Sequence, residues 1–183
     1  MLTTIKIKNF KGIKDTTIYC QEDYNVLIGA NNVGKTTVFE AIHLWKMCYD
    51  TNIKKKSDGF YSSANCKNIL FRYFENIRVV HDEDLFNSKL SNGRYECFIS
   101  LVFQIQDETF DLGFILTKPT KIDDAYLQVS YTDYNEFVRF ASKINSFPGF
   151  NVSNAISIYE SRPTANIIAN EPKMTLAEVR EKI

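Results

Sequence analysis

The sequence predicts an α/β fold, and three observations carry that reading. A continuously apolar run, Val26-Leu27-Ile28, leads into a glycine-bounded loop. A segment with apolar residues at helical spacing follows the loop at once. Further along, apolar and polar residues alternate with period two over three successive segments. At 183 residues the chain suits one domain, burying roughly 70% of the surface its unfolded form exposes. With 44% hydrophobic and 24% charged residues, it has the makeup of a globular protein rather than a disordered one.

The elements follow in order. Ile5 and Ile7 alternate with Lys6 and Lys8, and Ile18 follows a polar break, so two strands precede the apolar run. Val26-Leu27-Ile28 reads as the central strand of a parallel sheet, covered on both faces. Beyond the loop, Val38, Ala41, Ile42, Trp45, Cys48 and Tyr49 predict a helix over residues 35–49, with His43 as a structural residue on it. Lys54-Lys55-Lys56, followed by Ser57-Asp58-Gly59, reads as a solvated loop. A short helix is expected over 69–74 and a loop over 81–93.

The period then changes. Cys97, Ile99, Leu101, Phe103 and Ile105 line one face of a strand, and Phe110, Leu112, Phe114 and Leu116 repeat the pattern, as do Leu127, Val129 and Tyr131. Their connections are too short for crossover helices, which predicts an antiparallel β-subdomain over about 94–132. Phe137, Phe140, Ala141 and Ile144 predict a helix over 134–146, and residues 155–159 one more strand. Pro163 and Pro172 bracket a loop, and Thr175-Leu-Ala-Glu178 forms a capping box that opens a last helix.

Charge and cysteine usage exclude several classes. Twenty-two basic residues balance twenty-two acidic ones, so no global field advertises nucleic acid or an anionic membrane. Cys20, Cys48, Cys66 and Cys97 lie far apart, with no C-x-x-C pair and no histidine cluster, which fits a reduced cytoplasmic setting. The N-terminus lacks the apolar core of a signal peptide, and no run approaches the roughly 20 apolar residues of a membrane helix. No membrane partner is expected.

The chemistry concentrates in one loop. Gly29-Ala30-Asn31-Asn32-Val33-Gly34-Lys35-Thr36 matches G-x-x-x-x-G-K-[ST] between an apolar strand and an amphipathic helix, where a phosphate-binding loop belongs. By average residue usage the four fixed positions coincide by accident in such a chain on the order of once in 200. Glycines let the backbone turn so that N–H groups from Asn32 to Thr37 point inward as an anion nest at the positive end of the helix. Lys35 would reach the β- and γ-phosphates, and the Thr36 hydroxyl would ligate Mg2+, a hard cation that prefers oxygen. ATP with Mg2+ is the expected ligand. A small phosphate-loop kinase or GTPase is disfavoured by the long antiparallel segment and by the absence of N-K-x-D or an arginine-rich lid.

Two stretches also carry a family resemblance. Thr-Ile-Lys-Ile-Lys-Asn-Phe-Lys-Gly-Ile-Lys, ending at Lys14, and Asn-Val-Leu-Ile-Gly-Ala-Asn-Asn-Val-Gly-Lys-Thr-Thr-Val-Phe-Glu-Ala-Ile, ending at Ile42, resemble the N-terminus of SMC and RecF-like ABC ATPases. Within that group the chain looks most like the overcoming-lysogenisation-defect (OLD) nucleases and related anti-phage ATPases. The close match covers residues 3–45. It implies an α/β phosphate-loop NTPase, the first lobe of an ABC-ATPase head, with parallel core strands and an antiparallel β-subdomain. It further implies that Gly29, Asn31, Asn32, Val33, Gly34, Lys35, Thr36 and Thr37 wrap the phosphates, and that Asn9, Phe10 and Lys11 approach the nucleotide. In such ATPases a polar residue ending a later strand senses magnesium and the attacking water. Glu160 occupies that place, although the family's usual residue is glutamine, and an exposed strand-end glutamate is the competing reading.

Hydrolysis in such ATPases needs a Walker B strand ending in Asp-Glu and a signature motif from a second head. Three segments imitate these. Leu90-Ser-Asn-Gly93 leads into a strand rather than a helix, Val79-Val-His-Asp-Glu83 lacks an apolar strand in front, and Ile105-Gln-Asp-Glu108 ends a hairpin strand. The expectation is therefore a fragment whose second lobe, with any nuclease domain, lies elsewhere. The resemblance implies heads pairing as a homodimer or higher oligomer, with ATP controlling a DNA-processing or defence activity and DNA contacted through the full protein. The alternatives are an SMC/RecF-like DNA-repair ATPase and a nucleotide-binding switch that never hydrolyses.

Overall fold

The computed structural model describes residues 1–22, 25–29, 34–55, 61–63, 66–71, 74, 77–79, 81–119 and 126–156. Its strands are β1 (Leu2–Phe10), β2 (Ile13–Tyr19), β3 (Ile53–Lys55), β4 (Tyr61–Ser63), β5 (Ile69–Leu70), β6 (Glu96–Ile105), β7 (Glu108–Thr117) and β8 (Tyr126–Tyr131). Its helices are α1 (Lys35–Asn52), α2 (Tyr134–Ser146) and the single turn α3 (Val152–Ala155). Six strands form one sheet in the order β2-β1-β6-β7-β8-β5, and β3 and β4 form a separate ribbon. Every pairing among the described residues is antiparallel.

Period-two patterning makes one face of this sheet apolar. Ile5 and Ile7 of β1 lie opposite Leu101 and Ile99 of β6, which lie opposite Leu112 and Phe114 of β7, and all six are buried. Both long helices cover that face. Trp45 of α1 is fully buried, stacks on Tyr49 with ring centroids 5.3 Å apart, and donates its indole N–H to the Leu112 carbonyl at 2.6 Å. Because that donor is satisfied, the largest side chain of the core is buried without an orphan polar group. Phe140 of α2 meets Phe103, Phe110 and Tyr49 edge-on or tilted, and Phe137 meets Phe114 at 4.9 Å, so the two helices share one aromatic core.

The helix stripes are those read from the sequence. Val38, Ala41, Ile42, Trp45, Cys48 and Tyr49 are all buried on α1, which runs three residues past the expected end to Asn52. The four apolar positions expected on α2 are its buried ones. Asp133 caps it, accepting the Asn135 N–H at 2.9 Å.

Four expectations are corrected. Val26-Leu27-Ile28 forms no strand: Val26 is 76% and Ile28 90% exposed, and only Leu27 packs partly on the core, since no neighbouring strand among the described residues covers this segment. Ile69 and Leu70 do not open a helix but pair with Leu127 and Tyr126 at the sheet edge; so short an apolar run does not distinguish the two periods. Lys54 and Lys55 are not loop residues but lie in β3, where exposed lysines suit an unpaired edge. Ala155 ends α3 rather than starting a strand, because the Asn151 side chain accepts the Ser153 N–H at 2.7 Å and caps a helical turn. Residues 157–159, both prolines of the late loop and the capping box at 175–178 lie outside the described residues.

Candidate functional site

The site is built at the N-terminus of α1. Gly34 has φ 91° and ψ 11°, a left-handed conformation costly for any residue with a Cβ, and its carbonyl accepts the Val38 N–H at 3.0 Å. No side chain caps the helix here, and its first turn holds no acidic residue. The positive end of an 18-residue helix is thereby directed at the loop, with no acidic residue in its own first turn to neutralise it. The Lys35 ammonium reaches back to the Gly29 carbonyl, so the two ends of the loop are tied across its mouth. Thr36 is exposed, and Lys35 and Thr37 are half-buried. A polarised helix end, an ammonium and an exposed hydroxyl form a donor set that fits a polyphosphate and a hard divalent cation. Asn31, Asn32, Val33 and Glu160 lie outside the described residues.

Lys11 lies in the turn between β1 and β2, at φ 47°, with Asn9 two residues before it at φ 54°. Its ammonium contacts Glu40 Oε2 at 2.6 Å and the Arg78 carbonyl at 2.7 Å. Glu40 also accepts the Arg78 N–H at 3.1 Å on its other oxygen. Sequence reasoning singled out Lys11 and passed over Glu40. The glutamate occupies a buried position of α1 beside the apolar stripe, and its partner is 29 residues away, so no local spacing exposes the pair.

The three imitations of catalytic motifs have structural explanations. Asp82 and Glu83 lie in a 3-10 turn, Asp82–Leu85, where Glu83 accepts from the Tyr95 hydroxyl at 2.8 Å and from Lys118 at 3.1 Å. Those hydrogen bonds, the hydroxyl's first, hold its carboxyl below the ordinary value. Gln106 and Asp107 make the β6–β7 turn. Gly93, at φ 78°, donates its N–H to the Leu90 carbonyl at 2.8 Å, closing a turn before β6. A shallow depression lined by Tyr49, Asp50, Ile144 and Phe150 lies at the opposite end of α1 from the phosphate loop.

The loop sequence and the start of α1 have the features of a phosphate-binding class of site. Within that class, the chain belongs to the AAA ATPase domain family, whose model it matches over residues 1–180. It is 48% identical over 44 residues to a DNA double-strand break repair Rad50 ATPase of Methanopyrus kandleri, covering 24% of this chain and 5% of that protein. It is 38% identical over 42 residues to a DNA replication and repair protein RecF of Staphylococcus haemolyticus, covering 23% of this chain and 11% of that one. The chain thus spans a small part of both relatives and is similar to the SMC/RecF-like ABC ATPases. No helix among the described residues is long and apolar enough to cross a membrane.

Proposed function

We propose that the chain is the nucleotide-binding first lobe of an SMC/RecF-like ABC ATPase, taking ATP with Mg2+ in the loop from Gly29 to Thr37. The observation that supports this best is the uncapped, carboxylate-free start of α1 with Lys35 drawn across the loop. In this reading the backbone amides from Asn31 to Gly34 and at the start of α1 bind phosphate oxygens. Lys35 neutralises the β- and γ-phosphates, Thr36 ligates magnesium, Thr37 adds a further donor, and Lys11 approaches from the β1–β2 turn. Glu160 is a second candidate magnesium contact.

The finer assignments belong to the same proposal. The exposed apolar face of Val26 and Ile28 suits a strand that becomes central when parallel neighbours from a second lobe cover it. Head pairing as a homodimer or higher oligomer, and coupling to DNA processing, follow from the likeness to proteins named for DNA repair and replication. The OLD-like, anti-phage placement rests on residues 3–45. The experiment is calorimetric titration of ATP-Mg2+ into the wild-type chain and Lys35→Ala. The substitution is expected to weaken binding by at least about tenfold. Equal affinities would sink the site assignment.

A further inference from the structure

Around Glu40 the chain gathers contacts from three separate stretches. Its carboxylate is buried, with side-chain exposure of 7%, against 13% for Lys11. Its two oxygens are divided between the Lys11 ammonium and the Arg78 N–H, while Lys11 also takes the Arg78 carbonyl. The peptide groups on both sides of the Arg78 Cα are therefore gripped by one charge pair. Residues 85–88 are fastened to the same turn: the Lys11 N–H donates to the Leu85 carbonyl at 2.9 Å, the Asn87 N–H to the Asn9 carbonyl at 3.1 Å, and the Ser88 N–H to Asn9 Oδ1 at 2.9 Å. Asn87 Nδ2 returns to the Lys11 carbonyl at 2.9 Å.

The two left-handed residues make these contacts possible. A non-glycine residue at positive φ is strained and persists where surrounding contacts over-determine it. At Asn9 and Lys11 those contacts are the bonds just described, and they accompany a Lys11 ammonium directed at Glu40 and the Arg78 carbonyl. Glu40 is four residues beyond Thr36, about one helical turn from the loop. It is thus the point at which this helix grips both the β1–β2 turn, through Lys11, and Arg78.

We propose that Glu40 is a positioning residue that couples occupancy of the phosphate loop to the order of residues 77–79 and 81–88. The proposal rests on the phosphate-loop reading. Phosphates bound at the first turn of α1 rigidify that turn. Glu40, one turn on and bonded at both oxygens, passes the restraint to Arg78 directly and to Asn87 and Ser88 through Lys11 and Asn9. The effect requires no contact between Arg78, Asn87 or Ser88 and the nucleotide.

Hydrogen exchange of the full chain with and without ATP-Mg2+ tests it, with affinity measured in parallel. In the wild type, ATP-Mg2+ is expected to slow exchange of the Arg78, Asn87 and Ser88 amides about three- to tenfold. Glu40→Gln keeps the volume and one acceptor but loses the charge that holds Lys11. It is expected to bind ATP while these amides exchange faster and ignore the ligand. A merely structural role would raise the baseline rate and leave the ATP response intact. Glu40→Asp keeps the charge but shortens the reach, is expected to respond partially, and provides the test if Glu40→Gln fails to fold. ATP binding without slowing in the wild type, or an undiminished response in both variants, would overturn the coupling. Failure of the wild type to bind ATP would overturn the phosphate-loop reading and the coupling with it.

Discussion

Burial divides the four free thiols into two reactivity classes. Cys48 and Cys97 are buried against the sheet, and desolvation of the thiolate pushes both far above the ordinary thiol value, with neighbouring thiols adding to the effect at Cys48. Cys66 is half-exposed and pushed up to about 11 by the same desolvation, against weaker opposing hydrogen bonds with the Tyr131 side chain and backbone. Cys20 is raised by burial alone. Because the thiolate is the nucleophile, raising these values lowers the reactive fraction at neutral pH. Iodoacetamide is expected to label Cys20 and Cys66 in the folded chain and to reach Cys48 and Cys97 only in denaturant, as read by peptide mass spectrometry. Labelling of Cys66 should also accelerate about tenfold per pH unit until the pH nears its raised value. Native-state labelling of Cys48 as fast as that of Cys20 would mean that α1 does not lie on the sheet as described.

At the scale of elements, β7 has one position that tolerates no side chain. A Cβ on Gly113 would lie 2.6 Å from Thr132 Oγ1, 2.9 Å from Thr132 Cγ2 and 3.0 Å from the Phe98 ring. Thr132 cannot swing aside cheaply, because its N–H and hydroxyl both donate to the Gly113 carbonyl, at 2.9 and 3.0 Å. Gly113→Ala is expected to destabilise the chain by about 1–3 kcal/mol, seen as a lower urea midpoint, whereas Gly12→Ala, where a Cβ meets nothing, should cost far less. Equal midpoints would contradict the register of β7 with β8. This residue also shows where sequence reading stops. The stripes of α1 and α2 and the alternation of β6 and β7 were legible because burial of one face imposes a period. The pinch at Gly113 was not legible, because Phe98, Gly113 and Thr132 meet only through sheet pairing. The same holds for Glu40, which needs Lys11 and Arg78 from two other segments, and for Val26-Leu27-Ile28, whose apolar run predicts cover that the described residues do not provide.

For the molecule as a whole, binding and turnover separate. Activating a water for phosphoryl transfer needs a carboxylate that can accept or orient a proton near the terminal phosphate. The glutamate of each acidic pair among the imitated motifs serves other bonds. Glu83 is engaged by Tyr95 and Lys118. Glu108 is held by Lys143 at 2.5 Å and lies 3.6 Å from Arg139, and the Lys143 hydrogen bond foremost keeps its carboxyl below the ordinary value. A carboxylate made less basic in this way is a poorer proton acceptor, and Glu83 is held in the 3-10 turn and Glu108 at the start of β7 rather than at the start of α1. The purified chain is therefore expected to bind ATP-Mg2+ but to release phosphate at the background rate, indistinguishable from Lys35→Ala in a continuous phosphate assay. A magnesium-dependent rate that Lys35→Ala abolishes would show that the chain supplies its own water-activating group. Loss of that rate in Glu83→Gln or in Glu108→Gln would then identify which carboxylate it is.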